Sequence, residues 1–188
     1  MTAGFAARVR AAVAALPAGD ARTARSQAAV LGALGRLAAP FDEHADPTHV
    51  TGSAIVVGPR GVLLHRHKRL GVWMQPGGHV DPGEPPWDAA VRETAEETGL
   101  AGAHPAGGPR LVHVDVHPAP RGHTHLDLRY LLTADGEPDP PPGESQAVRW
   151  FPWPEALRAA DDALVAGLRA VHDGYARRVS DQGPGGPR

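Results

Sequence analysis

The segment from Gly77 to Leu100, GGHVDPGEPPWDAAVRETAEETGL, constrains the fold of this chain more than any other part of the sequence. A loop with several glycines leads into a run with helical character. Pro86 suits the first turn of a helix and Gly99 suits a C-terminal cap, so the segment predicts a helix at about 86–98. The loop and the cap together fix where that helix begins and ends.

Three carboxylates share one narrow face of this predicted helix. Glu93 and Glu97 are one turn apart, and Glu96 lies between them. Like charges at this spacing repel each other by roughly 0.2–0.5 kcal/mol per pair. A divalent cation would reverse the sign of that interaction, and clustered carboxylates favour a hard ion, Mg²⁺ or Mn²⁺. A solvated acidic helix face is the alternative interpretation.

The composition excludes several classes of site and partner. The chain has no cysteine, which excludes disulfides, thiolate metal sites and cysteine nucleophiles. Its 19 basic and 21 acidic residues indicate neither a nucleic-acid polymer nor a membrane as partner. The apolar run near the N-terminus contains Arg8 and Arg10, which favours a helix over a cleaved signal peptide. We expect a cytoplasmic protein that acts on a small molecule, with homodimerisation left open.

The segment resembles the Nudix box, in which G, five residues, E and seven residues precede R-E-U-x-E-E-x-G-U, with U apolar. The matching residues are Gly78, Glu84, Arg92, Glu93, Glu96, Glu97, Gly99 and Leu100. Thr94 departs from the pattern, because an apolar residue is usual there, and this puts local packing rather than chemistry in doubt. The order of predicted strands around the box extends the resemblance to about residues 48–155.

The resemblance implies both a fold and a reaction. The fold is of the α/β class, with a mixed β-sheet sandwiched between helices and, here, an N-terminal helical extension. The reaction is attack of water on phosphorus in a nucleoside diphosphate linked to another group, or in a nucleoside triphosphate, assisted by Mg²⁺ or Mn²⁺. A Nudix-like module that binds a ligand without hydrolysis is the alternative. Prenyl diphosphate isomerisation is disfavoured, because that related chemistry uses a cysteine.

The resemblance also implies roles for residues of the box. The metal ligands would be Glu93, Glu96 and Glu97, with the carbonyl of Gly77 as a further ligand, and the catalytic residues would be Glu93 and Glu97. Glu93 is our first choice for the base, and a carboxylate from a neighbouring loop is the alternative. Structural support would come from Gly78, Glu84, Arg92 and Gly99, with Arg92 paired to Glu84.

The whole chain has 188 residues and reads as a mixed α/β domain with helical additions. We predict helices at 3–16, 21–38, 86–98 and 154–178, a loop-rich stretch at 71–83, a loop at 136–143, and strands at 49–57, 61–68, 111–117, 125–133 and 147–153. The predicted division is an N-terminal helical extension at 1–45, a Nudix domain at 46–178 and a disordered tail at 179–188.

Histidines and aspartates alternate along two of the predicted strands, HVDVH at 113–117 and HLDLR at 125–129. A hairpin centred near Arg121 would give these strands one polar and one apolar face. On the polar face it would pair His117 with His125, Asp115 with Asp127 and His113 with Arg129. On the apolar face it would pair Val116 with Leu126, Val114 with Leu128 and Val112 with Tyr130. The polar face would line the substrate cleft, hold a second and softer metal ion, or simply be solvated.

Eight residues are candidates for substrate binding, and each also has a plainer interpretation. They are Arg66, Lys68, Arg69, Trp73, His79, His125, Asp127 and Arg129. The basic residues of HRHKR would hold a phosphate or form an exposed strand end. Trp73 would stack on a base or pack in the core. His79, inside the box loop, would approach the substrate or face solvent.

Overall fold

The computed structural model describes residues 2–68, 71–143 and 147–181. In chain order the elements are α1 (Thr2–Ala14), α2 (Ala21–Arg36), β1 (Thr48–Gly58), β2 (Gly61–Arg66), β3 (Trp73–Met74), β4 (Gly77–His79), α3 (Pro86–Thr98), β5 (Leu111–Ala119), a 3-10 turn (Pro120–Gly122), β6 (His123–Thr133), β7 (Val148–Phe151), α4 (Trp153–Ala159) and α5 (Asp162–Asp181). Among the helices of these residues, none combines the length and the apolarity that crossing a bilayer requires.

Within the described residues, the strands form one mixed sheet of seven strands, as the α/β prediction requires. The central path runs β3-β2-β1-β6-β5, while β4 pairs with β1 and β7 pairs with β2. Strands β1 and β6 are parallel over the register from Thr48↔Thr124 to Val57↔Thr133, and the other pairs are antiparallel. Strand β1 therefore has neighbours on both sides, which explains why nearly all of its residues are buried.

Helices cover both faces of the sheet. Side chains of one parity in β1, such as Val50 and Val56, pack against α1, α2 and α3, whose buried residues include Val9, Val13, Val30, Ala33, Ala89 and Ala90. On the other face of β1, Ile55 belongs to a second apolar cluster. It packs there with residues of α4 and α5, namely Ala156, Leu164, Leu168 and Val171. The two N-terminal helices thus contribute to the same core as the sheet.

The hairpin of β5 and β6 has the predicted register over most of its length. His117 lies opposite His125, Asp115 opposite Asp127, and His113 opposite Arg129. The prediction for Val112 is wrong, because a bulge between Leu111 and His113 places Leu111 opposite Tyr130.

Two other predictions need correction. The helical region expected at 154–178 is two helices, because the chain turns at Asp161, whose Oδ1 accepts the N–H of Leu164 at 2.8 Å and caps α5. The loop-rich stretch at 71–83 contains the short strands β3 and β4. The tail expected to be disordered begins within α5, and its residues 182–188 lie outside the described part of the chain.

Helix α3 approaches β1 closely at Gly52. A Cβ at Gly52 would collide with the carbonyl oxygen of Pro86 and lie 3.0 Å from the Cβ of Ala89. Glycine is therefore required where the first turn of the box helix rests on the central strand.

We expect Gly52→Ala to lower the free energy of unfolding by about 1–3 kcal/mol, because the added methyl group overpacks the contact between β1 and α3. Urea denaturation measures this change. Gly32→Ala is the matched control: Gly32 is exposed in α2 and a Cβ there meets nothing within 4 Å. The control should be neutral or stabilising by up to about 1 kcal/mol. Equal destabilisation of both variants would contradict the close approach.

Candidate active site

The box helix α3 occupies the predicted range and ends at Gly99. Gly99 has φ 72° and its N–H reaches the carbonyl of Ala95, a left-handed cap that favours glycine. The loop at 136–143 closes over this end, where the N–H of Asp139 donates to the carbonyl of Thr98 at 3.1 Å. The position of α3 is thus fixed at both ends.

Thr94, the departure from the box pattern, is fully buried in α3. Its Oγ1 donates to the carbonyl oxygen of Ala90 at 2.7 Å, so the helix itself satisfies the hydroxyl. Its Cγ2 faces Gly102, where an added Cβ would lie 3.2 Å away. The threonine therefore packs as an apolar residue would.

Strand β4 brings the backbone close to the carboxylates of α3. Gly77 pairs with Ser53 and Gly78 with Gly52. The N–H of Gly77 donates to Glu97 Oε2 at 2.9 Å. A Cβ on Gly78 would collide with the carboxylate of Glu93. Glycine at 78 thus permits the carboxylate of Glu93 to reach the strand, and glycine at 77 leaves room for Ser53 of β1.

Arg92 ties the box together through its guanidinium group. Its Nε and Nη2 donate to the carboxylate of Glu84 at 3.2 and 3.0 Å, so the pair that the resemblance implies is present. Its Nη1 donates to Glu93 at 2.8 Å and to Glu96 at 3.2 Å. Its Nη2 also donates to the carbonyl of His79 at 2.8 Å. The hydrogen bonds to Glu84, followed by those to Glu93, raise the pKa of Arg92.

The three glutamates differ in their exposure. The side chains of Glu93 and Glu96 are 15% and 53% exposed, and that of Glu97 is 21% exposed. Burial raises the pKa of Glu93, and the nearby Arg92 opposes that shift. Glu97 Oε2 also lies 3.6 Å from Nε2 of His65, whose pKa burial lowers to about 4.

The box presents an oxygen donor set that fits a hard divalent cation. Carboxylates are the ligands that Mg²⁺ and Mn²⁺ prefer. Glu97 accepts a hydrogen bond from Gly77, and both Glu93 and Glu96 accept one from Arg92. The three carboxylates are not drawn into one tight cluster, and Glu96 is the most exposed of them. The role of Gly77 as a carbonyl ligand stays a prediction.

Of the predicted phosphate-binding and stacking residues, Arg66 lies in β2 opposite Trp73 in β3. Arg66 is exposed and its Nε donates to the carbonyl of Gly71 at 3.0 Å, while Lys68 is exposed and Arg69 lies outside the described residues. Trp73 packs edge-on against Phe151, with ring centroids 4.8 Å apart, which favours the packing interpretation.

Asp127 and Arg129 are buried in a polar network beneath the site. They are 2% and 3% exposed, and Arg129 Nε donates to Asp127 at 2.9 Å. Asp127 also accepts hydrogen bonds from Thr51, Ser53 and Gln75. The interpretation as a solvated sheet face is therefore wrong for these two residues.

A second part of this network reaches the N-terminal helices. Arg22 of α2 donates two hydrogen bonds to Asp115, at 2.9 and 3.1 Å, and His117 lies 3.2 Å from the same carboxylate. Burial would raise the pKa of Asp115, but His117 and Arg22 hold it well below its usual range. Asp20 signals the start of α2 in the sequence, yet no local pattern indicates which strand Arg22 meets.

His49 is the main residue of the polar face that the sequence did not single out. It is fully buried in β1, directly opposite His125 in β6, and its ring lies 5.1 Å from the rings of both His79 and His125. Burial, and then the neighbouring rings, lower the pKa of His125 to about 4. The parallel pairing of β1 and β6 joins distant parts of the chain, so the sequence pattern did not reveal this cluster.

A cavity of about 1050 Å³ lies where the C-terminal end of β1 turns into β2. It is lined by Val57, Arg60, Arg110 and Trp153, among others, and by no residue of the box. The size of the cavity thus gives no guide to the site of the glutamates.

Comparison with known proteins places the fold and the box in context. The NUDIX domain family model matches residues 47–171. The asymmetrical bis(5'-nucleosyl)-tetraphosphatase of Caenorhabditis elegans is 32% identical over 102 residues, covering 51% of this chain and 70% of that protein. The mutator protein MutT4 of Mycobacterium tuberculosis is 31% identical over 136 residues. The match covers 68% of this chain and 54% of MutT4. A crystal structure of a NUDIX-family hydrolase from Clostridium perfringens matches with TM-score 0.55 and 30% identity, covering 66% of this chain and 96% of that one.

We expect Arg92→Lys to destabilise the protein by about 1–3 kcal/mol, because lysine cannot bridge Glu84, Glu93 and the carbonyl of His79 at once. Thermal unfolding measures the loss. Arg25→Lys, at an exposed position of α2, is the control and should stay within about 0.5 kcal/mol of the parent. An unchanged melting temperature in Arg92→Lys would show that the hydrogen bonds of the Arg92 guanidinium do not stabilise the fold.

We also expect buried His113 to make stability depend on pH. Burial, followed by the charge of Arg129, lowers its pKa to about 4, below the value of about 6.5 in an unfolded chain. Between pH 4 and pH 6.5 the unfolded state therefore binds more protons than the folded state. The contribution of neutral His113 to the free energy of unfolding is complete above pH 6.5 and is lost as the pH falls toward 4. From pH 7 to pH 5 the loss should be about 2 kcal/mol.

Urea denaturation of the parent and of His113→Gln at the two pH values measures this contribution. The fall in unfolding free energy should be smaller in His113→Gln, whereas His44→Gln, at an exposed position, should behave as the parent does. Identical pH dependence in all three proteins would contradict the assignment to His113.

Proposed function

The chain belongs to the Nudix family, and we propose that it hydrolyses a diphosphate linkage in a nucleoside diphosphate linked to another group or in a nucleoside triphosphate, with Mg²⁺ as its metal. The predictions of the family, of the mixed α/β Nudix fold and of a pyrophosphohydrolase acting on acid anhydrides are confirmed. The substrate, the metal and the roles of individual residues are the parts that we propose.

One observation carries the proposal: the carboxylates of Glu93 and Glu97 converge on the glycine strand β4. Glu97 is held by the N–H of Gly77 at 2.9 Å, and Glu93 lies against Gly78 while Arg92 donates to it. A module that only bound a ligand would have no need for these partly buried charges, whose desolvation costs stability. We assign them, with Glu96, to a divalent cation.

The reaction requires a nucleophile, charge stabilisation and fixed geometry. When bound, the cation would neutralise charge that develops on the phosphoryl oxygens. We assign to Glu93 the acceptance of the proton from the attacking water. Arg92 donates a hydrogen bond to the carboxylate of Glu93 at 2.8 Å and another to Glu84 in the loop before α3. These two hydrogen bonds would keep the carboxylate and the loop in one orientation during the reaction.

The similarity to a relative named for cleavage of bis(5'-nucleosyl) tetraphosphates supports dinucleoside polyphosphates as the first compounds to offer. Such compounds contain the diphosphate linkages on which the proposed chemistry acts. Arg66 and Lys68 remain our candidates for contacts to the more distant phosphates, since both side chains are exposed. We propose that α1 and α2 at 1–45 serve as a structural addition to the catalytic domain at 46–178.

We expect purified protein with Mg²⁺ to hydrolyse at least one member of a panel of dinucleoside polyphosphates, nucleoside triphosphates, ADP-ribose and sugar nucleotides. Glu97→Gln should lower kcat on that compound at least about 100-fold, because it removes one charge from the metal site with little change of shape. Chromatography of the nucleotide products measures turnover, and removal of metal with a chelator should abolish it reversibly.

Glu155→Gln is the matched control, because Glu155 is exposed in α4, outside the box helix and β4. It should turn over at the parent rate. Turnover that survives Glu97→Gln would refute the metal-site assignment. Tight binding of a panel compound without any hydrolysis would favour the ligand-binding alternative.

A further inference from the structure

Three histidines on the polar face of the sheet bring ring nitrogens together. His49 in β1 lies opposite His125 in β6, and His79 in β4 pairs with Thr51, two residues along β1 from His49. One nitrogen from each of the three rings lies within 4.8 Å of the other two. Because the three residues come from three paired strands, the sheet fixes their relative positions.

The most buried of the three carries an unsatisfied nitrogen. His49 is 0% exposed, and its Nδ1 lies 3.1 Å from the carbonyl oxygen of Asp46. A carbonyl only accepts, so Nδ1 donates its proton there, and Nε2 is the nitrogen left to bind a ligand. Within the described part of the chain, this Nε2 has no hydrogen-bond partner. A buried polar atom left in this state is destabilising, and a ligand on Nε2 would offset that cost.

The second histidine is oriented by a carboxylate. Nδ1 of His79 lies 3.1 Å from Oε2 of Glu43, a residue between α2 and β1. A carboxylate on one ring nitrogen is the usual support for a histidine that binds metal through the other. The pair therefore leaves Nε2 of His79 available on the polar face.

We propose that His49, His79 and His125 bind one transition-metal ion, preferentially Zn²⁺, at a site separate from the glutamates of α3. Three imidazole nitrogens suit Zn²⁺, whereas Mg²⁺ prefers oxygen ligands. Three protein ligands leave a fourth position for water or an anionic oxygen. In a tetrahedral site the nitrogens are about 3.3 Å apart, so rotation of the half-buried His79 and His125 rings would close the site.

An ion at this site would connect to the box through β4. The carbonyl of His79 accepts a hydrogen bond from Arg92, which also holds Glu93. Binding at the histidines would therefore fix β1, β4 and β6 together, and β4 is the strand that Arg92 joins to Glu93. Since the ion binds only the folded arrangement, Zn²⁺ should also raise the melting temperature.

The test uses the full chain, stripped of metal with a chelator and titrated with Co²⁺, which reports four-coordinate geometry by its visible absorption. We expect one equivalent to give a strong tetrahedral absorption band that Zn²⁺ abolishes by competition and that excess Mg²⁺ leaves unchanged. His125→Gln and His79→Gln should each weaken binding by at least about 100-fold, and Glu43→Gln by about 10-fold.

Two controls separate this site from the box and from general damage. Glu97→Gln should keep the Co²⁺ band, because it alters only the carboxylate site. His172→Gln, on α5, should keep it as well. Circular dichroism confirms that each variant is folded. Two half-buried positions, His79 and His125, are tested so that the misfolding of one variant does not decide the result.

Three results would overturn the proposal: no band and no change of melting temperature with Co²⁺ or Zn²⁺, a band unchanged in both folded histidine variants, or a band lost in Glu97→Gln and kept in His125→Gln. The first would leave the histidines as a packing cluster, and the last would assign the bound ion to the glutamates. Only the last result concerns the glutamates, and none of the three measures hydrolysis with Mg²⁺, so this proposal and the proposed function can fail independently.

Discussion

The pairing of β4 with β1 is the constraint on which the rest of the site depends. Strand β4 contributes three residues to it, and two of them are glycines: Gly77 leaves room for Ser53 of β1, and Gly78 leaves room for the carboxylate of Glu93. The alternation of a strand sends Gly78 toward the carboxylates of α3 and sends His79 to the opposite face. One short backbone segment therefore positions chemistry on both faces of the sheet, and Arg92 locks it through the carbonyl of His79.

The sequence predicted those parts of the fold that depend on neighbours in the chain. The range of α3 follows from Pro86 and Gly99, and the register of β5 with β6 follows from a short turn and a period of two. The bulge near Val112 and the break at Asp161 were missed because each changes one residue of an otherwise regular pattern.

Contacts between distant segments could not be predicted in the same way. The parallel alignment of β1 with β6 carries no turn that would fix its register, so the position of His49 beside His125 was not foreseen. Asp127 and Arg129 were expected at a substrate, yet they face each other in a buried network. A buried ion pair adds little net stability, but removing one partner is costly, so such networks penalise a shifted strand register.

The contact between Arg22 and Asp115 has a consequence for the order of events during folding. The two residues are 93 positions apart, so α2 is complete long before its partner strand exists. During synthesis from the N-terminus, the apolar sides of α1 and α2 must wait, exposed, until β5 and β6 have been made. Closure of this long loop adds to the contact order, which is expected to slow the docking of the two helices onto the sheet.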